Sequence, residues 1–158
     1  MDEYSQIYRG LHQGWKPPVG DWLRHRGFDV LVLSAEEYQP SSKSFPGVRV
    51  IHFPLGDDHH HWSGRELAEL DRLSSWLAES VRRRKRVLVT CQMGLNRSGL
   101  IVAATLMKLV SATPLGAVSL IRRCRDPLAL SNPTFVMLLQ DEMSRWRTRL
   151  QSPSYGQR

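Results

Sequence analysis

Apolar positions along the chain fall into short runs and helical stripes. Val87-Leu88-Val89 is a β-branched run of strand length, and Ser98 to Val110 is apolar at nearly every position. The pattern there predicts a buried strand, a tight loop and a buried helix in succession. Upstream, Asp29 to Leu33 and Val48 to Phe53 read as two further strands, and Ile7-Tyr8-Arg9-Gly10 as a short one after a loose start over residues 1–6. Leu11 to Gly20 reads as a loop, punctuated by Gly14, Pro17, Pro18 and Gly20. Asp21 can cap a short helix, Trp22 to Arg26, that stops at Gly27. Pro54 to Trp62 reads as a second loop. Ser63 and Glu66 then form a capping-box pattern ahead of a helix with one apolar face, Leu67, Leu70, Leu73, Leu77 and Val81. Thr113-Pro114 opens a helix that runs to about Arg125. Asn132-Pro133 opens a last helix, with Phe135, Leu139, Met143, Trp146 and Leu150 on its face. Strands, a helix, a central strand and three helices make an α/β domain in which helices pack on a small sheet. Residues 1–150 are expected to form one domain and 151–158 a flexible tail.

Composition narrows the class. The 158 residues suffice for one domain with a sizeable core, and 41% hydrophobic with 23% charged residues suits a globular protein. No apolar run is long enough to span a bilayer. Two cysteines and no leader-like N-terminus point to a reducing compartment, and the cytoplasm is expected. The net charge of +7 is concentrated in Arg82-Arg83-Arg84-Lys85-Arg86 and in Arg122, Arg123 and Arg125. Such charge suits phosphoproteins, acidic lipids or RNA, although a basic run at a helix C-terminus is also what the helix dipole favours.

The loop after Val89 carries the chemistry. A loop between strand and helix gathers backbone N–H groups into one concavity, and the helix N-terminus adds positive potential, so a phosphate would be held. Gly94 allows close approach or positive φ. Arg97 can grip two phosphoryl oxygens with its planar fork. Cys91 sits at the floor, where that field favours the thiolate, a nucleophile placed for in-line attack. The hydroxyl of Ser98 can stabilise that thiolate as a leaving group. The backbone amides of Gln92, Met93, Gly94, Leu95 and Asn96 complete the cradle whatever their side chains. The leaving group needs a proton, and Asp57 or its neighbour Asp58, on the loop after a strand, can supply it.

Cys91-Gln92-Met93-Gly94-Leu95-Asn96-Arg97-Ser98 resembles the C-x5-R motif of the cysteine-based protein tyrosine phosphatase superfamily. Ile7 to Gly10, Phe53-Pro54-Leu55-Gly56-Asp57, and Ile121 to Arg125 with Asn132 and Phe135 are similar to segments of its dual-specificity branch. The resemblance implies a mixed sheet of four or five strands flanked by helices. It also implies a cysteinyl-phosphate intermediate without metal or cofactor, a phosphorylated protein substrate, and Asp57 as general acid. The family usually has His before the cysteine, where this chain has Thr90, whose hydroxyl can still donate a hydrogen bond.

Two other readings stand beside this one. Gly94-Leu95-Asn96-Arg97 followed by a hydroxyl residue resembles the RNA triphosphatase branch, which makes an RNA 5′-phosphatase the alternative, and Thr90 in place of His leaves room for a catalytically weak phosphate-binding module. Asp126-Pro127 resembles the acid of low-molecular-weight tyrosine phosphatases but is expected simply to end a helix. His59-His60-His61 cannot easily converge on one ion, so no metal site is expected. Trp62 either walls the pocket or staples the next helix, and Cys124 reads as a core residue.

Overall fold

The computed structural model describes residues 1–143, the side chains of Glu142 and Met143 excepted. Five strands form one sheet: β1 Tyr4–Tyr8, β2 Leu11–Trp15, β3 Val30–Ala35, β4 Arg49–Leu55 and β5 Val87–Cys91. Their spatial order is β1-β2-β5-β3-β4. The β1–β2 pair is antiparallel and the other neighbours are parallel, so the sheet is mixed, as expected. Among the described residues five α-helices accompany it: α1 Trp22–His25, α2 Gly64–Arg82, α3 Arg97–Leu109, α4 Pro114–Cys124 and α5 Pro133–Leu138, the last continued by a π-helical turn over Leu139–Met143.

Alternation along the central strands divides the core in two. Val30 and Val32 of β3 and Val87 and Val89 of β5 face the cluster covered by α2 to α5. Leu31, Leu33 and Leu88 face a smaller cluster with Leu23, Phe28 and Phe45. α3 is buried from Arg97 through Met107, which explains why its sequence is apolar on every side. α2 buries the expected stripe at Leu70, Leu73, Leu77 and Val81 and begins with both halves of the Ser63–Glu66 capping box. Thr113 and Asn132 cap α4 and α5 through their side chains, whereas Asp21 at the start of α1 makes no such bond. Phe135 and Leu139 are buried, while the Met143 side chain, Trp146, Leu150 and the tail 151–158 fall outside the described residues.

Three boundaries differ from the sequence reading. Leu11 to Trp15 is a strand, not a loop, and residues 4–6 belong to β1 rather than to a loose terminus. β2 pairs with β5 from Leu11↔Val87 to Trp15↔Cys91, a long-range match that buries His12 and Gln13. Alternation of polar residues with a glycine hid it. β4 continues through Pro54 to Leu55, so the loop that follows starts at Gly56. Pro54 is tolerated because β4 is an edge strand.

Parallel strands deliver their carboxyl ends to one side. β3 leads to Glu37, β4 to Asp57 and β5 to the Cys91–Arg97 loop, which fills the crevice where open α/β sheets bind ligands.

Candidate active site

The loop from Cys91 to Arg97 is shaped by close backbone contact. Gly94 has φ +68°, and a Cβ there would lie 2.4 Å from the carbonyl carbon of Gly14 and 2.7 Å from the nitrogen of Trp15. Gly94 thus serves both purposes expected of it, positive φ and close approach. Gly14 is equally constrained, since its own Cβ would meet the Glu3 carbonyl oxygen at 2.5 Å.

The loop's carbonyls are tied down from below. The buried Gln13 donates from Nε2 to the carbonyls of Gly94 at 3.0 Å and Leu95 at 3.4 Å and to Ser98 Oγ at 3.2 Å. Arg125 Nε donates to the Gly94 carbonyl at 3.2 Å, and its other arm reaches the Asp2 carbonyl and Ser5 Oγ. The Leu130 amide donates to the Leu95 carbonyl. Among the described residues, the N–H groups of Gln92 to Asn96 donate to no protein acceptor. Carbonyls are held outward and amides are left as donors, which is the electrostatic polarity an anion requires.

Cys91 is buried, and its Sγ lies 3.2 Å from Ser98 Oγ, itself fully buried. Both cysteines are free thiols. Cys124 is partly buried against the main core, as its pattern suggested. Met93 is exposed at the rim.

Arg97 is 8% exposed and held by a partner that the sequence reading missed. Nη1 and Nη2 donate to the two carboxylate oxygens of Glu37, each at 2.6 Å, and Nη1 also donates to the Leu55 carbonyl at 3.1 Å. These bonds hold the Glu37 carboxyl down at about 2 and keep the guanidinium charged. Of the five guanidinium N–H groups, Glu37 takes the two at the end and Leu55 takes the one nearest the side-chain stem. The Nε–H, which is buried without a partner, and the remaining Nη2–H lie side by side. They form a second, side-on fork suited to two phosphoryl oxygens.

The two candidate acids diverge. Asp57 is exposed and accepts from Asn96 Nδ2 at 3.1 Å and Asn132 Nδ2 at 2.7 Å. The Asn132 amide in turn donates to Asn96 Oδ1 at 3.1 Å, so the acid loop, the phosphate loop and the start of α5 share one network. Asp58 instead bonds His60, whose other nitrogen lies 2.8 Å from Glu66. That contact lowers the Asp58 pKa, and the two carboxylates raise that of His60. His60 stacks on Trp62, which is buried against Phe135, so Trp62 belongs to the core beneath the acid loop. His59 contacts Thr134 Oγ1, and among the described residues no group of three His, Cys, Asp or Glu side chains could hold a metal ion.

Thr90 and Asp126 turn out to have local roles. Thr90 donates to the Val32 carbonyl at 2.9 Å, across to β3, rather than to the loop. Asp126 accepts from the Leu128 amide in the turn after α4.

Residues missed from sequence are Gln13, Glu37, Arg125 and the contact role of Asn132. Glu37 alone carried a signal, as one of two acids just past a strand whose end should lie beside the phosphate loop.

Structures with this fold include a mouse dual specificity phosphatase complexed with zinc tungstate (24% identity, TM-score 0.80, 96% of this chain and 92% of that chain). Human DUSP28 is similar at 23% identity and TM-score 0.74, covering 96% and 97% of the two chains. Tk-PTP in its active form is similar at 27% identity and TM-score 0.69, covering 89% and 97%. The family model for the dual specificity phosphatase catalytic domain matches residues 21–144. With a C-x5-R loop at the carboxyl end of the central strand of this fold, the chain belongs to the dual-specificity branch of the cysteine-based protein tyrosine phosphatase superfamily.

Proposed function

We propose that the chain hydrolyses phosphomonoesters of proteins, phosphotyrosine foremost and phosphoserine or phosphothreonine with it, through a cysteinyl-phosphate intermediate. The observation that carries this reading is the geometry around Cys91. Its Sγ lies 3.2 Å from Ser98 Oγ, beneath unpaired loop amides and beside the open side-on fork of Arg97. The thiolate attacks phosphorus as the ester P–O bond breaks, and Asp57 gives its proton to the departing oxygen. The amides of Gln92 to Asn96 and the Arg97 fork hold the equatorial oxygens. Asp57, now a carboxylate, takes a proton from water as its oxygen attacks phosphorus. The P–S bond breaks, phosphate leaves, and the Ser98 hydroxyl donates to the re-formed thiolate. Asp57 suits the acid's role because Asn96 and Asn132 hold it at the loop's edge, whereas Asp58 is engaged by His60. The same reading takes residues 1–150 as one catalytic domain and a reducing compartment such as the cytoplasm as its setting. No described helix is long and apolar enough to cross a membrane.

The RNA reading draws less support. The basic run ends at Arg86, just before β5, while Cys91 ends that strand, about 16 Å farther along at ~3.3 Å per residue. Those cations do not border the phosphate loop.

The test is phosphate release from an aryl phosphate with chelator present, for wild type and Cys91→Ser. The expected result is turnover in wild type and none in the variant. No turnover in wild type at any pH between about 5 and 8 overturns the reading.

A further inference from the structure

A second concentration of positive charge lies at the end of the sheet away from Cys91. The β1–β2 turn and the turn from α2 into β5 face one another there and enclose a groove of about 580 Å³. That is within the usual ~300–1,000 Å³ range for small-molecule sites. Arg9 comes from one turn, and Arg82, Arg84, Lys85 and Arg86 from the other, with Val81 and Leu109 among the lining residues. Among the described residues, no carboxylate lines it. Glu79, the nearest acid on α2, is already paired with Arg82 and Arg83. Among the described residues, Arg9, Arg84 and Lys85 have no ion-pair partner. His12, 3% exposed, also lines the groove and turns Nε2 toward Arg86 Nη2 at 3.5 Å.

The turn's backbone is independent of the charge count and points the same way. The Arg84 amide donates to the Val81 carbonyl and the Lys85 amide to that of Ser80, the paired bonds of a Schellman motif. The residue after the C-cap in that motif takes positive φ, and glycine is its usual occupant because no Cβ is strained there. Here it is Arg84, at φ +63°. A strained conformation is maintained at the position that presents a guanidinium to the groove, and strain of this kind marks functional positions.

We propose that this groove is a second anion site, which binds a compact, multiply phosphorylated ligand of the inositol-polyphosphate class. Arg82 is engaged by Glu79 and the Lys108 carbonyl, and Arg86 by the Arg26 carbonyl and the Phe28 ring. Arg9 from one turn and Arg84 and Lys85 from the other line one concavity with their charge uncommitted, which matches phosphates clustered on a small frame. A nucleic-acid track would instead continue along the surface with aromatic residues interleaved, and Tyr8 is the one exposed aromatic among the lining residues. The site requires no turnover at Cys91 and stands independently of the catalytic reading.

The experiment is calorimetric titration of the full chain with inositol hexakisphosphate, in orthovanadate to occupy the loop around Cys91. One-to-one, salt-sensitive binding is expected, weakened by about tenfold or more in Arg84→Gly/Lys85→Gln. Aryl phosphate turnover should be unchanged in that variant. Arg84→Gly alone should not lower the thermal midpoint, because glycine relieves the turn, so weakened binding would not reflect misfolding. Vesicles containing phosphatidylinositol 4,5-bisphosphate, against vesicles of phosphatidylserine, identify the source. Selective binding to the first supports the site with a lipid headgroup as ligand, and binding of the free polyphosphate alone supports it with a soluble ligand. No saturable binding, binding indifferent to the double variant, or tighter binding of single-stranded oligouridylate would overturn the proposal.

Discussion

Replacing Glu37 with Gln removes the anionic half of the clamp on Arg97. Glu37 is held at about 2 against an ordinary value of 4.5 by its bonds to Arg97. At ~1.36 kcal/mol per unit, that difference bounds the stabilisation at about 3.4 kcal/mol. The Glu37 side chain is 46% exposed, so solvent screening reduces the effective figure to about 1–2 kcal/mol. Gln keeps one oxygen for one end-on N–H of Arg97, but its amide hydrogens oppose the other. Glu37→Gln should therefore lower the unfolding free energy by about 1–2 kcal/mol at pH 7, and the thermal midpoint by about 2–4 °C per kcal/mol. The sign with pH follows from the depressed folded-state value. The stabilisation is fully present above 4.5 and is lost as pH falls toward 2, so the wild-type and variant stability curves should converge over that interval. Catalysis should also suffer. A fork that is no longer aimed by its neighbour costs positioning, and kcat/KM should fall about 10–100-fold. Urea unfolding at pH 7 and pH 3 and aryl phosphate kinetics would measure both effects. An equal stability gap at the two pH values would refute the electrostatic account. Tighter phosphate binding in Glu37→Gln would show that Glu37 competes with the ligand rather than aiming the arginine.

Two further predictions bear on the same crevice. Asp57→Asn should lower kcat about 10²–10⁴-fold, with the larger loss on phosphate esters whose leaving group is a poor one, while Asp58→Asn stays within a few-fold. The reverse order, measured on a pair of such substrates, would make Asp58 the acid. Gly94→Ala drives a Cβ into the backbone of Gly14 and keeps φ at +68°. It should cost about 2–4 kcal/mol, and an unchanged thermal midpoint would disprove the tight approach of the two loops.

What was legible in the sequence was what is local. Val87 to Val110 contains its strand, loop and helix within one contiguous stretch, and periodicity exposes each part. The capping box at Ser63 and the Asn132-Pro133 helix start are equally local. Gln13 was invisible because its burial depends on a partner strand about seventy-five positions away, and nothing in Leu11-His12-Gln13-Gly14-Trp15 announces that pairing. Glu37 and Asn132 meet Arg97 and Asp57 only once the strands are in register. Asp57 and Asp58 could not be separated from one another by type or spacing. What distinguishes them is direction, one side chain turned toward Asn96 and the other toward His60. The Thr90 hydroxyl does donate a hydrogen bond, but nothing local shows that its strand position aims it at β3.

The attachment of the phosphate loop to Gln13 has a consequence for the order of assembly. β2 is synthesised well before its parallel partner β5, which ends at Cys91. At typical elongation rates the β1–β2 hairpin waits about 4–15 s for that strand to be made. Until then the polar groups of His12 and Gln13 remain hydrated. Closing so long a stretch of chain is a slow, non-local step, paid in loop entropy before contacts form. The nucleophile's cradle is therefore completed late, by the two ends of a nascent sheet meeting, and a ribosome-bound chain that stops short of Cys91 should expose an unpaired β2 edge to chaperones.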